Sequence, residues 1–467
     1  IIMIKYVVLI LFLVLKFFTL ENCFFWDNTA GYSMPASYLL ENGFLSFVYP
    51  AQYVAEPPLA HLYLALLWSL FGKSLLVAHL SITVFSLGVI WQVYRLCERL
   101  ETKYTPYIFL LVLLEPALST QMILISPDVI LCFFALLSIN LILDNRRIWL
   151  AVSAMCLGLV SIRGLVVCSG LGLGYLLIEN VIHKKSFKNS FLHVFPVFIP
   201  ALLAIGGWFI YRKVETGYFL YQPGFGYEDH RQFATFGQIV KNIASLAVRM
   251  LDSGRIVVWV LLFASIIKMG IKNFFLYLSK SPLSLIYLSV LFTMMLVTIP
   301  VTNPFGDRYF LVLYILLALI TAQLLFKVYE TRSVRILLVG MICILVSGNF
   351  WVYSEKMSKA WDSVLCHLPY YSLRQEMIDY LENEHIEINS VTAAFPMDAL
   401  FANMDITDDN RRFSSAELEN SRYVLYSNLF NWDDEHIETI YSQWKLQKEL
   451  KSGLIFLRLY VPKEKGE

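Results

Sequence analysis

Residues 148–178 read IWLAVSAMCLGLVSIRGLVVCSGLGLGYLLI, an apolar run interrupted only at Arg163-Gly164. Wound as one helix it would be about 46 Å long, while the hydrocarbon core of a bilayer is about 30 Å thick. The stretch therefore reads as two short membrane helices that meet at Arg163-Gly164 on one side of the membrane. Composition agrees with lipid as the main solvent. The chain is 58% hydrophobic and 16% charged, with a mean hydropathy of +0.61, whereas a water-soluble domain carries roughly 25% charged residues. A formal net charge of +1 offers no basic field for a nucleic acid, which excludes that class of partner.

Working outward from this pair, apolar runs of membrane-crossing character recur at Ile1–Leu20, Ser74–Tyr94, Tyr104–Leu118, Pro127–Leu143, Ile148–Ile162, Gly164–Ile178, Phe191–Tyr211, Ile256–Ile267, Leu283–Pro300, Tyr309–Phe326 and Ile336–Phe350. That makes about 11 transmembrane helices, an all-α polytopic bundle over residues 1–350. The cationic loops at Arg95/Arg99/Lys103, Arg146/Arg147, Lys184/Lys185/Lys188, Lys268/Lys272/Lys280 and Lys327/Arg332/Arg335 all fall on one side in this count, which the positive-inside rule makes cytoplasmic. Glu21–Pro57 holds no Lys or Arg and lies outside. The N-terminal run is either an uncleaved anchor or a signal peptide. Its length and the lack of a small-residue cleavage site before Asn22 favour the anchor.

After Phe350 the composition becomes that of a soluble module, and an odd span count places residues 351–467 outside the cell as a small α/β domain. Tyr371–Glu382 is expected to be an amphipathic helix, and Val391–Phe395, Tyr423–Tyr426 and Leu454–Tyr460 to be strands. Of seven cysteines, only Cys23 and Cys366 lie where an oxidising compartment could bridge them, and no disulfide framework or metal-binding Cys spacing is visible.

The first outer loop is the densest in candidate chemistry. Trp26-Asp27 follows the first span, and Glu56-Pro57-Pro58-Leu59 opens an apolar stretch that ends in Leu70-Phe71-Gly72-Lys73. Asp27 has no cation in its loop to pair with, and a positioned carboxylate suits a general base. The plainer reading is a helix cap near Asn28 or Thr29. Asp128, in Ser126-Pro127-Asp128 at the edge of the fourth span, is a functional candidate by its place in the membrane, although Ser-Pro-Asp is also a common helix start. Arg163 and Arg308 stand at the outer ends of apolar spans, where a guanidinium either meets an anion or snorkels to the headgroups.

The order Trp26-Asp27, Glu56-Pro57-Pro58-Leu59, Leu70-Phe71-Gly72, Ser126-Pro127-Asp128, Arg163 and Arg308-Tyr309 resembles the GT-C glycosyltransferases of the protein O-mannosyltransferase and lipid A aminoarabinose-transferase superfamily over most of Ile1–Phe350. The resemblance implies a polyprenyl-phosphate sugar donor, a glycan, lipid or protein acceptor, and an inverting displacement at the outer face of a membrane, most naturally a bacterial inner membrane. It also implies Asp27 as base or acceptor-positioning group and Asp128 as its support; beside that, Arg163 and Arg308 at the outer ends of apolar spans read as contacts to the donor phosphate. Relatives usually carry Lys before Pro-Pro-Leu. Here Glu56 stands instead, a side chain that would ligate a cation or place an acceptor amine, so a divalent cation stays open as a cofactor. His79 stands where relatives often have Arg, and it and His61 read as packed, hydrogen-bonded helix residues.

The segment Arg212–Asp252, with Tyr218, Tyr221, Pro223, Gly224, Gly226, Tyr227, Glu228, Asp229 and His230, reads either as a lid over a lipid-linked sugar or as an interfacial aromatic belt. Trp432-Asp433-Asp434-Glu435-His436 reads as the solvated first turn of a helix. Rival functions are a lipid or sugar transporter or flippase, an inert scaffold acting through its tail, and an O-antigen-type ligase or polymerase. An enzyme needs Asp27, Asp128, Arg163 and Arg308 to converge, and a scaffold does not.

Overall fold

The computed structural model describes residues 2–50, 53, 56–100, 103–220, 232–302, 306–355, 357, 359–415 and 418–463. Helix α1 (Ile2–Phe17) leads through a π-helical turn at Thr29–Ser33 into α2 (Met34–Asn42) and α3 (Leu59–Phe71). These are followed by α4 (Leu75–Glu98), α5 (Thr105–Leu113), α6 (Pro116–Ile123), α7 (Pro127–Leu143), α8 (Arg147–Val160), α9 (Ile162–Leu177) and α10 (Phe187–Thr216). The bundle is completed by α11 (Phe236–Leu251), α12 (Ile256–Met269), α13 (Ile271–Leu278), α14 (Pro282–Thr298), α15 (Leu311–Val328) and α16 (Thr331–Ser347).

Five of these helical stretches are long and apolar enough to cross a membrane, and eight are if each bent pair counts as one span. Of the eleven runs expected, the three outside these eight are α1, α7 and α8, whose helices are 16, 17 and 14 residues long; elsewhere the difference lies in where the chain breaks. Tyr104–Leu118 is not one straight helix: α5 and α6 meet at 65°, because Pro116 brings no N–H to continue the ladder and the Glu115 carboxylate instead accepts from the Leu118 N–H at 2.7 Å. The break in 148–178 falls at Ser161, whose backbone is extended (φ −166°, ψ 165°) and whose hydroxyl accepts from Gly164 N–H. Gly164 is required there, since a Cβ would lie 2.1 Å from the Leu157 carbonyl oxygen. The expected loop Arg212–Asp252 is in large part helix, with α10 reaching Thr216 and α11 filling Phe236–Leu251. Tyr221, Pro223, Gly224, Gly226, Tyr227, Glu228, Asp229 and His230 lie outside the described residues. The exposed face of α11 is apolar (Phe236, Val240, Ile243, Val248), and α11 turns through 91° into α12. That is the shape of a helix lying along a membrane surface before the chain descends.

Helix α15 is buried along most of its length and serves as the axis, with α12 and α14 packed on it. Helix α14 in turn packs on α9, where Gly170 permits the backbones to approach: a Cβ there would come within 2.7 Å of Val290 Cα.

The tail carries α17 (Pro369–Asn383), β1 (Val391–Thr392), α18 (Phe401–Met404), β2 (Tyr423–Tyr426), α19 (Asp434–Gln443), β3 (Trp444–Ser452) and β4 (Ile455–Pro462). The sheet order is β1-β2-β4-β3, with β1 and β2 parallel and the other pairs antiparallel. Strand β1 is shorter than the Val391–Phe395 expected. Strand β3 went unread because WKLQKELKS is rich in helix formers, and only its antiparallel pairing with β4 makes it a strand. Asp433 caps α19 by accepting from His436 N–H at 2.8 Å, the solvated first turn expected there. Cys23 and Cys366 are separate buried thiols.

Candidate active site

The carboxylate of Asp27 does not cap a helix. Trp26 sits in the left-handed region (φ 56°), a conformation an aromatic residue adopts only when its surroundings impose it, at about 1–3 kcal/mol. Those surroundings are the tail: Phe25 stacks on His367 at 4.7 Å, and the Trp26 ring meets Phe395 edge-on at 5.0 Å. The kink turns Asp27 towards Arg308, with which it is ion-paired through Oδ2 and Nη2.

Two histidines tie down the rest of the loop. His61 Nε2 lies 2.9 Å from the Gly31 carbonyl, so it carries the proton, and Nδ1 receives the Tyr49 hydroxyl at 3.2 Å. His79 Nε2 lies 2.9 Å from the Asn22 carbonyl. Both are packed helix residues, as expected.

Arg308 is the hub. It projects from a 3-10 turn (Asp307–Phe310) at the start of α15 and is surrounded by three carboxylates. Besides Asp27, these are Asp128, whose Oδ2 is 3.3 Å from its Nε, and Asp362, whose Oδ2 is 3.1 Å from its Nη1. Asp128 also holds Arg163, Nη1 to Oδ1 at 2.7 Å, so it bridges the two guanidiniums. Its place follows from local structure, since Ser126 caps α7 through the Asp128 N–H. The Arg163 guanidinium lies 4.1 Å over the Tyr309 ring, a cation–π contact. The structure thus brings Asp27, Asp128, Arg163 and Arg308 into one cluster. Glu56 is set beside it: its carboxylate accepts from Ile162 N–H at 2.7 Å, at the start of α9 next to Arg163.

Exposure separates the three carboxylates. The Asp27 side chain is 52% exposed, while Asp128 and Asp362 are 4% and 5%. Only Asp27 is open to an incoming molecule, and the other two hold Arg308 from behind. Burial pushes the Asp362 carboxyl up to about 6, against the opposing pull of Arg308.

Sequence reasoning missed Asp362, which lies beyond the last membrane helix in a stretch with no motif. It also missed a second buried set under the same turn. Asp307 pairs with Arg255 at 2.6 Å and Arg249 at 3.3 Å, and Arg255 reaches Glu115 at 3.6 Å and lies 4.0 Å over the Tyr314 ring. Neighbouring residues Asp307 and Arg308 therefore enter two ionic networks, and the first fixes the turn that presents the second. The signal available was Glu115, an ionisable residue inside an apolar run.

Among the described residues no group of three or more His, Cys, Asp or Glu is arranged to hold a metal ion. A cleft of about 230 Å³ opens between α9 and α10, beginning at Leu165 near Arg163 and lined by residues such as Cys168, Leu176, Phe198 and Ile205.

No protein-family profile and no curated protein matches the chain. Its fold is that of the crystal structure of ArnT from Cupriavidus metallidurans bound to undecaprenyl phosphate, with a TM-score of 0.53 over 97% of this chain and 98% of that one, at 12% sequence identity. The GT-C fold expected from the order of motifs is the fold found.

Proposed function

We propose that the protein is a membrane glycosyltransferase that moves a sugar from a polyprenyl-phosphate carrier to a glycan, lipid or protein acceptor at the outer face of a membrane. The observation that carries this reading is the convergence, from four separate elements, of one exposed carboxylate and two guanidiniums braced by a buried carboxylate. In the reaction the acceptor oxygen or nitrogen attacks the anomeric carbon, the bond to the phosphate oxygen breaks with inversion, and the phosphate takes the electron pair. Asp27 receives the acceptor's proton. Arg163 and Arg308 stabilise the charge that grows on the leaving phosphate, and Asp128 keeps both in register. The apolar cleft that starts at Leu165 suits an isoprenoid tail hanging from a phosphate at Arg163, and the fold relative was crystallised with such a lipid. Among the described residues, the ion pairs of the bundle with both partners buried gather at one end of it, which favours chemistry over transport.

Two experiments test the reading. Mass spectrometry of surface glycolipids and glycoproteins from cells with and without the protein should show one sugar lost, restored by the wild type and not by Asp27→Asn. An unchanged set of glycans overturns the assignment. A reporter active only outside the cytoplasm, fused after Glu467, should be active. Activity of a cytoplasmic reporter at that place would refute the outer-face mechanism.

A further inference from the structure

The three carboxylates around Arg308 are one more than the proposed chemistry needs. Asp27 is the base and Asp128 bridges both guanidiniums, but Asp362 touches Arg308 without Arg163. It is held firmly: its backbone carbonyl accepts from Gln121 Nε2 on α6 at 2.7 Å, and Ser363 Oγ donates to its Oδ1 at 3.3 Å. The charged groups that face it are Arg308 and Asp307 on the turn before α15, Asp27 on the first loop and Asp128 on α7. Lys359, three residues earlier, is turned to the Trp351 carbonyl. Three carboxylates against Arg163 and Arg308 give this cluster one net negative charge.

On the reading proposed above, the anion in the site grows at the moment of transfer. The donor is a phosphodiester with one charge. The spent carrier is a phosphomonoester whose second ionisation lies near pH 6, so it carries between one and two. A pair of arginines chosen to stabilise that growth would hold the product more tightly than the substrate, and turnover would stall at release.

We propose that Asp362, supplied by the C-terminal segment, is a counter-charge that limits the hold of Arg308 on the spent carrier phosphate and so sets the rate of product release. It is a positioning residue, acting through Arg308 without touching the reacting atoms. The elevated ionisation of its buried carboxyl adds a direction. Above about pH 6 the counter-charge is present and the site lets go. Below it Asp362 is neutral, the net charge rises by one, and phosphate is held more firmly.

The test uses the full-length protein in detergent micelles, with undecaprenyl phosphate as the product probe and a dialkyl phosphodiester as a probe whose own charge does not change with pH. Asp362→Asn should bind undecaprenyl phosphate roughly three- to tenfold more tightly at pH 7.5, on the scale of one lost charge in a partly screened site. Its kcat should fall while its donor KM does not rise, and Asp362→Glu should return both towards wild type. Wild-type affinity for the phosphodiester should increase as pH falls from 7 to 5, and that of Asp362→Asn should stay flat. Equal or weaker product binding by folded Asp362→Asn would mean that Asp362 is only a brace, and the inference fails. If that variant does not fold, the wild-type titration decides alone, and a flat curve overturns the proposal. A folded wild-type protein that binds neither probe, as Arg308→Ala should not, refutes the carrier-phosphate reading itself.

Discussion

The two ends of the bundle handle charge differently: only one buries both partners of its ion pairs, whereas the buried Glu179 at the other is met by the exposed Lys185 and His183. At one end Arg95 and Arg99 pair with Asp144 between the ends of α4 and α7, with side chains 27–31% exposed. At the other end Arg255, Asp307, Arg308 and Asp128 are 0–4% exposed. Exposed pairs cost little to form and return little, since water solvates both states. Buried ions lose their hydration outright, and apolar packing of the same volume would often be more stable. A cluster with both signs of charge buried, at one end of a bundle whose other end leaves the cations partly exposed, points to a task other than stability. The contrast also separates two layers at the buried end: the Asp307–Arg255 set holds the turn, and the Arg308 set faces the open site.

The sharpest way to break this comparison is Arg255→Ala. It leaves Asp307 and Glu115 buried with fewer partners, and should lower stability by about 3–5 kcal/mol, read as thermal unfolding in detergent. A change within error would show that the lower network is not what holds the turn. Next is Asp27→Asn, which keeps shape and removes basicity. Expression and unfolding temperature should stay the same while turnover falls roughly 100-fold or more. Near-normal turnover would remove Asp27 from the mechanism and bring Asp128 or Glu56 forward. Arg163→Ala should weaken donor or transition-state binding by roughly 1.5–3 kcal/mol, measured as kcat/KM with a defined donor. If kcat/KM does not move, Arg163 only braces Tyr309 and the surface. The smallest effect belongs to the far end, where Asp144→Asn should cost under about 1 kcal/mol and leave turnover unchanged. A large loss there would erase the distinction between the ends.

Much of this was legible in the sequence, and the parts that were not share a cause. Apolar length and the run at 148–178 gave a helical membrane bundle, and Asp27, Asp128, Arg163 and Arg308 stood out because each is an ionisable residue at the border of an apolar segment. The break near Arg163-Gly164 was legible to within a few residues of Ser161, while the one at Glu115 was not, because composition does not report which carboxylate turns back on the backbone. Asp362 and strand β3 were missed because their roles come from partners far away in the chain: Arg308 for one, β4 for the other. A residue whose meaning is supplied by a distant neighbour leaves no local trace.

The interleaving of the first loop with the tail has a consequence in time. Phe24 N–H donates to the Met404 carbonyl at 2.9 Å, and Ser33 Oγ donates to the Asn403 carbonyl at 2.7 Å across a separation of 370 residues. At a synthesis rate of about 5–20 residues per second, the loop leaves the ribosome roughly 20–70 s before the strap that fastens it exists. Throughout that interval Phe25 has no tail to bury it and Trp26 has nothing to hold its kink. A chain cut short before Asn403 would insert its helices and still lack an assembled centre, so competence arrives only once the segment around Asn403 has been made.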